Sequence, residues 1–243
     1  MARPSEPAAF WSTRDGLLAG RDVVAGGTWT GVTRSGRFAA LTNVREPREF
    51  DPSAPSRGDL AVRFLAASDA PIEHLRRLAS EGERRNGFNL LAAAGGRLAW
   101  FSNRGPEPCE VEAGVHAVSN ALLDTPWPKV RRSAEGLARI LGREDALDPE
   151  ELFALLADRV PARDEELPDT GVGLATERLL SSPFIAAPGY GTRGSTLLLV
   201  SAAGRATFLE RRFDEAFQAS GTTRFELDFP GWDPPGRVSR PRS

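Results

Sequence analysis

The sequence predicts an α+β protein built on antiparallel sheets stacked face to face, with helices outside them. Three observations predict it. Pairs of β-prone runs flank short turn-forming dipeptides, as hairpins do. The hairpins and helix pairs come in blocks, strands then helices then strands, which argues against a parallel βαβ sheet. Finally, the run Thr196–Val200 is apolar without alternation, the mark of a strand covered on both faces.

The elements follow in order. WTGVT and RFAALT flank Ser35-Gly36 and predict a first hairpin, and the two prolines of the opening MARPSEPAAFW argue against a strand or helix ahead of Trp11. A helical group covers roughly 59–65 and 71–84, with Ile72, Leu75, Leu78 and Ala79 on one face and His74 among its exposed positions. FNLLAAA and RLAWFS flank Gly95-Gly96, a second hairpin, and PEPCEVE reads as an edge strand. The second helical group covers roughly 128–141 and 148–158. Asp148-Pro149-Glu150-Glu151 combines a capping Asp, Pro at the first helical position and an acid behind it, and Gly142 is placed to end the helix before. Residues 163–188 are rich in Pro, Gly and Ser and read as one long loop. STLLLVS and RATFLER flank Ala203-Gly204, and in TRFELDF the residues Phe225, Leu227 and Phe229 alternate with charged ones. We expect one domain over residues 1–229 and a disordered basic tail over 230–243.

Composition narrows the function. The 31 basic and 33 acidic residues leave a net charge of −2, which favours no polyanionic partner, so nucleic acid is not expected. Apolar runs such as TLLLV are too short to cross a bilayer, and no secretory leader follows Met1, so we expect a cytoplasmic protein. Lys129 is the single lysine, a bias toward Ala, Arg and Gly that suits a GC-rich bacterial genome. Two histidines, His74 and His116, stand in no ligand spacing, so no metal or cofactor is expected. GYGTRG matches the glycine spacing of a dinucleotide fingerprint, but a Pro-rich loop precedes it and a strand follows it, so we reject that function. His116 lacks a nucleophile elbow, and Cys109 lies between acidic residues that make it a poor nucleophile; we read it as structural and expect no catalytic residue in the chain as written.

What remains is a set of polar residues at strand ends among glycines and aromatics: GGTWTG, ALTN, NGFNL, SNALLDTPWPK and PGYGTR. Asn43 ends a strand, Asn120 follows one and Arg193 precedes one. Amides and a guanidinium converging at one edge of stacked sheets can bind a carboxylate or other oxyanion. The alternative is that the asparagines only form turns.

These segments, in this order, resemble the NRDE family, also called the transport and Golgi organisation protein 2 family. The resemblance spans essentially the whole chain: RPSEPAAFW, GGTWTGV, GRFAALTN, SRGDL, NGFNLL, NRG, GVHAVSNALLDTPWPKV and PGYGTRGSTLLLV. It implies an αββα four-layer sandwich similar to N-terminal-nucleophile hydrolases, in which an N-terminal residue attacks and its own α-amine is the base. Family members typically begin Met-Cys and carry Asn-Arg-Asp-Glu before the RPxxPxxFW-like segment. Here that segment is Arg3–Trp11, Ala2 has no nucleophilic side chain, and Cys109 is internal. We therefore expect an N-terminally truncated scaffold, from a start codon placed downstream of the true one or else a truncated gene. By the same resemblance Asn43 and Asn120 are amide donors and Arg193 an orienting charge, while Trp29 and Trp127 line a pocket or belong to the core. The implied function is binding or carriage of a hydrophobic, anionic ligand such as haem or a lipid acyl-thioester. The alternative is an N-terminal-Cys amide hydrolase, inactive without its nucleophile.

Overall fold

The computed structural model describes residues 4–234; the expected tail lies outside the described residues from residue 235 onward. The larger sheet has seven strands in sequence order: β1 (Ser5–Phe10), β2 (Leu17–Asp22), β3 (Thr30–Thr33), β4 (Phe38–Asn43), β5 (Phe88–Ala94), β6 (Arg97–Ser102) and β7 (Cys109–Glu110). The second sheet is the meander β10 (Gly194–Val200), β11 (Arg205–Phe213) and β12 (Ala219–Asp228), preceded by a small hairpin of β8 (Ala186–Ala187) and β9 (Tyr190–Gly191). Every strand pair in these sheets is antiparallel. The β5–β6 turn has only two residues: Ala94 pairs with Arg97, and both Gly95 and Gly96 take positive φ (58° and 81°), which two side-chain-bearing residues would resist.

The described residues also form five α-helices: α1 (Gly58–Leu65), α2 (Pro71–Glu81), α3 (Pro128–Leu141), α4 (Pro149–Leu156) and α5 (Leu174–Leu179). Asp148 caps α4 through a bond from the Glu150 N–H at 2.9 Å, as its sequence predicts. Gly142 does cap α3, but in the right-handed helical region (φ −76°) and not the left-handed one.

Three apolar clusters define four layers. Leu60, Phe64, Leu75 and Leu78 of α1 and α2 pack on Leu17, Ala39, Leu90 and Ala99 of the larger sheet. Leu18 and Val32 of that sheet meet Phe208, Leu227 and Phe229 across the inter-sheet layer. Leu152 and Phe153 of α4, with Leu137 and Ile140 of α3, cover Leu197 and Leu209 on the far face of the second sheet. Strand β10 therefore buries both faces, with Leu198 and Val200 toward the other sheet and Leu197 and Leu199 toward the helices. This is an α+β sandwich of the order helix, sheet, sheet, helix.

Four local expectations are corrected. The opening residues do form a strand: β1 takes the outer edge of the sheet, where its proline is tolerated because the register with β2 breaks between Glu6 and Ala9 around Pro7. Strand β2 also escaped the reading, since Leu17–Gly20 are buried and lack alternation. Residues 163–188 are not a structureless loop. They hold a 3-10 turn (Asp164–Glu166), α5 and β8, elements too short to show a period. His74 is buried (4% exposed), its ring edge-on to Phe64 at 5.1 Å. At the other end, Trp232 packs on Phe229 with ring centroids 5.7 Å apart.

Candidate functional site

The inter-sheet layer changes character along its length. On β11, Ala206 and Phe208 are buried in the apolar cluster; Glu210 and Arg212 continue the same alternation on the same face. Their register partners on β10 are Thr196 and Gly194. Here the layer opens into a cleft of about 580 Å³. Its other walls are Asp22, Leu41 and Asn43 from the larger sheet, Trp29 just ahead of β3, and the segment from Phe50 to Gly58 that leads into α1.

Glycines set the cleft walls. A Cβ at Gly20 on β2 would stand 2.7 Å from Trp29 Cζ2, so the indole lies directly on bare backbone. The Trp29 carbonyl accepts from the Leu41 N–H at 2.8 Å, tying that indole to β4. A Cβ at Gly27 would fall 2.5 Å from the Gly58 carbonyl carbon, and the Thr28 N–H donates to the Gly58 oxygen at 3.2 Å. The segments GGTWTG and SRGDL are thus two halves of one close backbone contact. Downstream, Asp51 and Asn86 are locked by reciprocal bonds of 2.7 Å between the main chain of one and the side-chain amide of the other. In PGYGTR, a Cβ at Gly191 would collide with Phe217 at 2.4 Å; the Arg193 carbonyl then accepts from the Phe213 N–H at 3.0 Å, which seats Arg193 at the mouth.

The chemistry of the lining is mixed. Arg57, Arg193 and Arg212 face Asp22, Asp51 and Glu210. Glu210 is 2% exposed; its Oε1 accepts from the Ala8 N–H at 2.8 Å, and Arg212 lies 3.9 Å away. These two residues stitch edge strand β1 to the opposite sheet, since Arg212 also donates to the Ser5 carbonyl at 3.4 Å. The hydroxyl and N–H of Ser53 hold the Asp51 carboxyl below the usual carboxylate range. Trp29, Leu41, Phe50, Pro52 and Pro55 supply an apolar side. Among the described residues no group of three or more His, Cys, Asp or Glu is arranged to hold a metal.

Of the residues singled out in the sequence, the structure brings Trp29, Asn43 and Arg193 into this cleft. Asn120 and Trp127 are not among its lining residues. Asn120 belongs to an irregular segment that no strand immediately precedes, and it clamps that segment to the end of β4. Its Nδ2 donates to the Asn43 carbonyl at 3.0 Å, its own carbonyl accepts from the Arg45 N–H at 2.7 Å, and its Oδ1 accepts from Lys129 Nζ at 3.2 Å. Trp127 caps α3 beneath the Arg45 guanidinium, whose carbon is 4.9 Å from the ring centroid. Cys109 is exposed on β7, at the far edge from β1. Sequence reasoning missed Leu41, Phe50, Glu210 and Arg212. For Glu210 and Arg212 a signal existed: in RATFLERRF the inward alternation of Ala206 and Phe208 runs on into two charges, and an inward charge on a buried strand marks a site or a stitch.

Comparison with known proteins identifies the family. The family model described as Transport and Golgi organisation 2 matches residues 1–215. The Transport and Golgi organization protein 2 homolog of Homo sapiens is 36% identical over 226 residues, covering 86% of this chain and 82% of the human protein. The corresponding protein of Bos taurus is 35% identical over 240 residues (92% of this chain, 85% of the bovine one), and that of Mus musculus 34% over 225 residues (86% and 81%). On its sequence, then, the chain belongs to the Transport and Golgi organisation 2 family.

Proposed function

We propose that the protein binds and carries a small amphipathic ligand with an apolar body and an anionic group, seated in the cleft at the open end of the inter-sheet layer. The observation that carries this reading is the lining: Trp29, Leu41, Phe50, Pro52 and Pro55 offer an apolar side, and Arg193 and Arg212 come from the opposite sheet. Such a pairing suits a carboxylate or thioester-linked acyl chain, with the guanidiniums facing the polar end and the indole facing the chain. Haem is the less favoured cargo. No His, Cys, Met or Tyr is among the described lining residues, so iron would find no customary axial ligand there and only its carboxylates would be held. The relatives' name refers to transport, which accords with carriage.

The test is equilibrium titration of the full chain with a fluorescent fatty acid, an acyl thioester and haem, repeated with Arg193→Ala and Trp29→Ala. Micromolar binding of the acyl probes, weakened about tenfold or more by either substitution, supports the reading; a lost charge-assisted contact is worth that much. No saturable binding, or binding unchanged in both variants, overturns it.

A further inference from the structure

Behind the cleft wall lies a second, unassigned concentration of positive charge. Arg45 follows β4, and its side chain is only 9% exposed. One nitrogen of its guanidinium pairs with Glu177 of α5, whose side chain is 3% exposed. Another, Nη2, is buried with no hydrogen-bond partner among the described residues. Glu177 has little left to offer it, because its second oxygen accepts from both the N–H (2.8 Å) and the hydroxyl (2.5 Å) of Thr170. Lys129 and Arg45 meet at one residue: the Lys129 amine donates to Asn120 Oδ1 at 3.2 Å, and the Arg45 N–H donates to the Asn120 carbonyl at 2.7 Å. Burial first, then the Arg45 charge, push the Lys129 amine down to about 8, with Glu177 pulling the other way. Lys129 is also the second residue of the fourteen-residue helix α3, whose cap Trp127 makes no side-chain capping bond. The first N–H groups of a helix have no partner within it, and they add partial positive charge to the two cations. Among the described residues Glu177 is the one carboxylate set against these two cations; the Asn120 side-chain oxygen that accepts from Lys129 and the Trp127 ring under Arg45 carry no net charge, so one positive charge stays in excess beside the helix start.

We propose that Arg45 Nη2, the Lys129 amine and the N-terminus of α3 form a binding site for a small oxyanion, a carboxylate or phosphate group. One such anion would give the orphaned guanidinium nitrogen its acceptor and cancel the surplus charge. The site is outside the cleft and does not depend on what the cleft binds. It is nevertheless joined to it: the Arg45 N–H holds the Asn120 carbonyl, and the Asn120 amide holds the carbonyl of Asn43 on the cleft wall. Occupancy would therefore stiffen that wall.

Because Lys129 is the single lysine, a protein labelled with 13C-lysine shows one Cε resonance, whose pH titration reads this amine alone. We expect sodium formate or sodium phosphate to raise its midpoint from about 8 by roughly one unit, since a bound anion favours the ammonium form, while chloride at matched ionic strength does not. Response to formate alone assigns a carboxylate site, and response to phosphate alone a phosphate site. In Arg45→Met the midpoint should rise without any anion and no longer respond to one. Should that variant not fold, Lys129→Met serves: the oxyanion-dependent gain in melting temperature of the parent protein should vanish. Equal effects of chloride and the oxyanions, no shift with either oxyanion, or a full response in Arg45→Met overturns the site; if only Lys129→Met can be read, so does an undiminished gain there.

Discussion

The indole of Trp29 lies on the bare backbone of Gly20, so close that a methyl group there would sit 2.7 Å from the ring. Gly20→Ala must displace the indole or part β2 from it. Overpacking of this kind costs about 1–3 kcal/mol, which chemical denaturation will read. Pairing it with Trp29→Ala should recover much of the loss, because the double variant removes the clash itself. Strictly additive costs would show that the contact is not the cause.

Asn120→Ala removes an amide that spans 77 residues to hold the Asn43 carbonyl, and deprives Lys129 of its acceptor. We expect a loss of about 1 kcal/mol in urea denaturation, the ordinary net worth of such hydrogen bonds where the Asn43 partner is exposed and the Lys129 one part-buried. Hydrogen exchange at the end of β4 should quicken, since the clamp would be gone.

Glu177→Gln should cost more. The carboxylate neutralises a buried arginine 132 positions away and accepts twice from Thr170. Breaking one side of a buried pair costs about 3–5 kcal/mol, because the remaining charge stays buried. Limited proteolysis should then cut within residues 163–188, which Glu177 anchors.

Phe208 is fully buried between the two sheets, edge-on to Phe225 at 6.3 Å. Phe208→Ala should lower stability by about 3–5 kcal/mol, combining lost transfer energy with the void left in a layer that has strands on both sides. Calorimetry would show a lower melting temperature in one transition; two separate transitions would mean the sheets unfold independently.

Acid should weaken the fold in a window that His74 sets. Burial pushes its imidazole below the ordinary value of 6.5, against the hydrogen bond and charge of Asp69, which pull upward. A histidine with a depressed folded-state value binds more protons when unfolded. Its contribution is therefore full above about pH 6.5, is lost as pH falls from there, and levels off below the folded-state value. Urea midpoints between pH 7.5 and 5 should fall, and His74→Leu should flatten that slope. An unchanged slope in the variant would assign the effect elsewhere.

Much of this architecture is legible one segment at a time. Hairpin turns such as Gly95-Gly96, the inward triad Phe225, Leu227 and Phe229, and the capped start of α4 are local facts, fixed by the period of strand and helix and by the φ angles glycine permits. So too are the motif strings that place the chain in its family. The tertiary structure alone decided that an edge position makes a strand of Ser5–Phe10 despite Pro7, and that Glu177 of α5 is buried in a pair with Arg45. It also divided the five expected site residues, sending Trp29, Asn43 and Arg193 to the cleft and Asn120 and Trp127 to the Arg45 side of β4. Periodicity says which way a side chain points from its own backbone. What it meets there is set by partners dozens of residues away, and no local pattern carries that information.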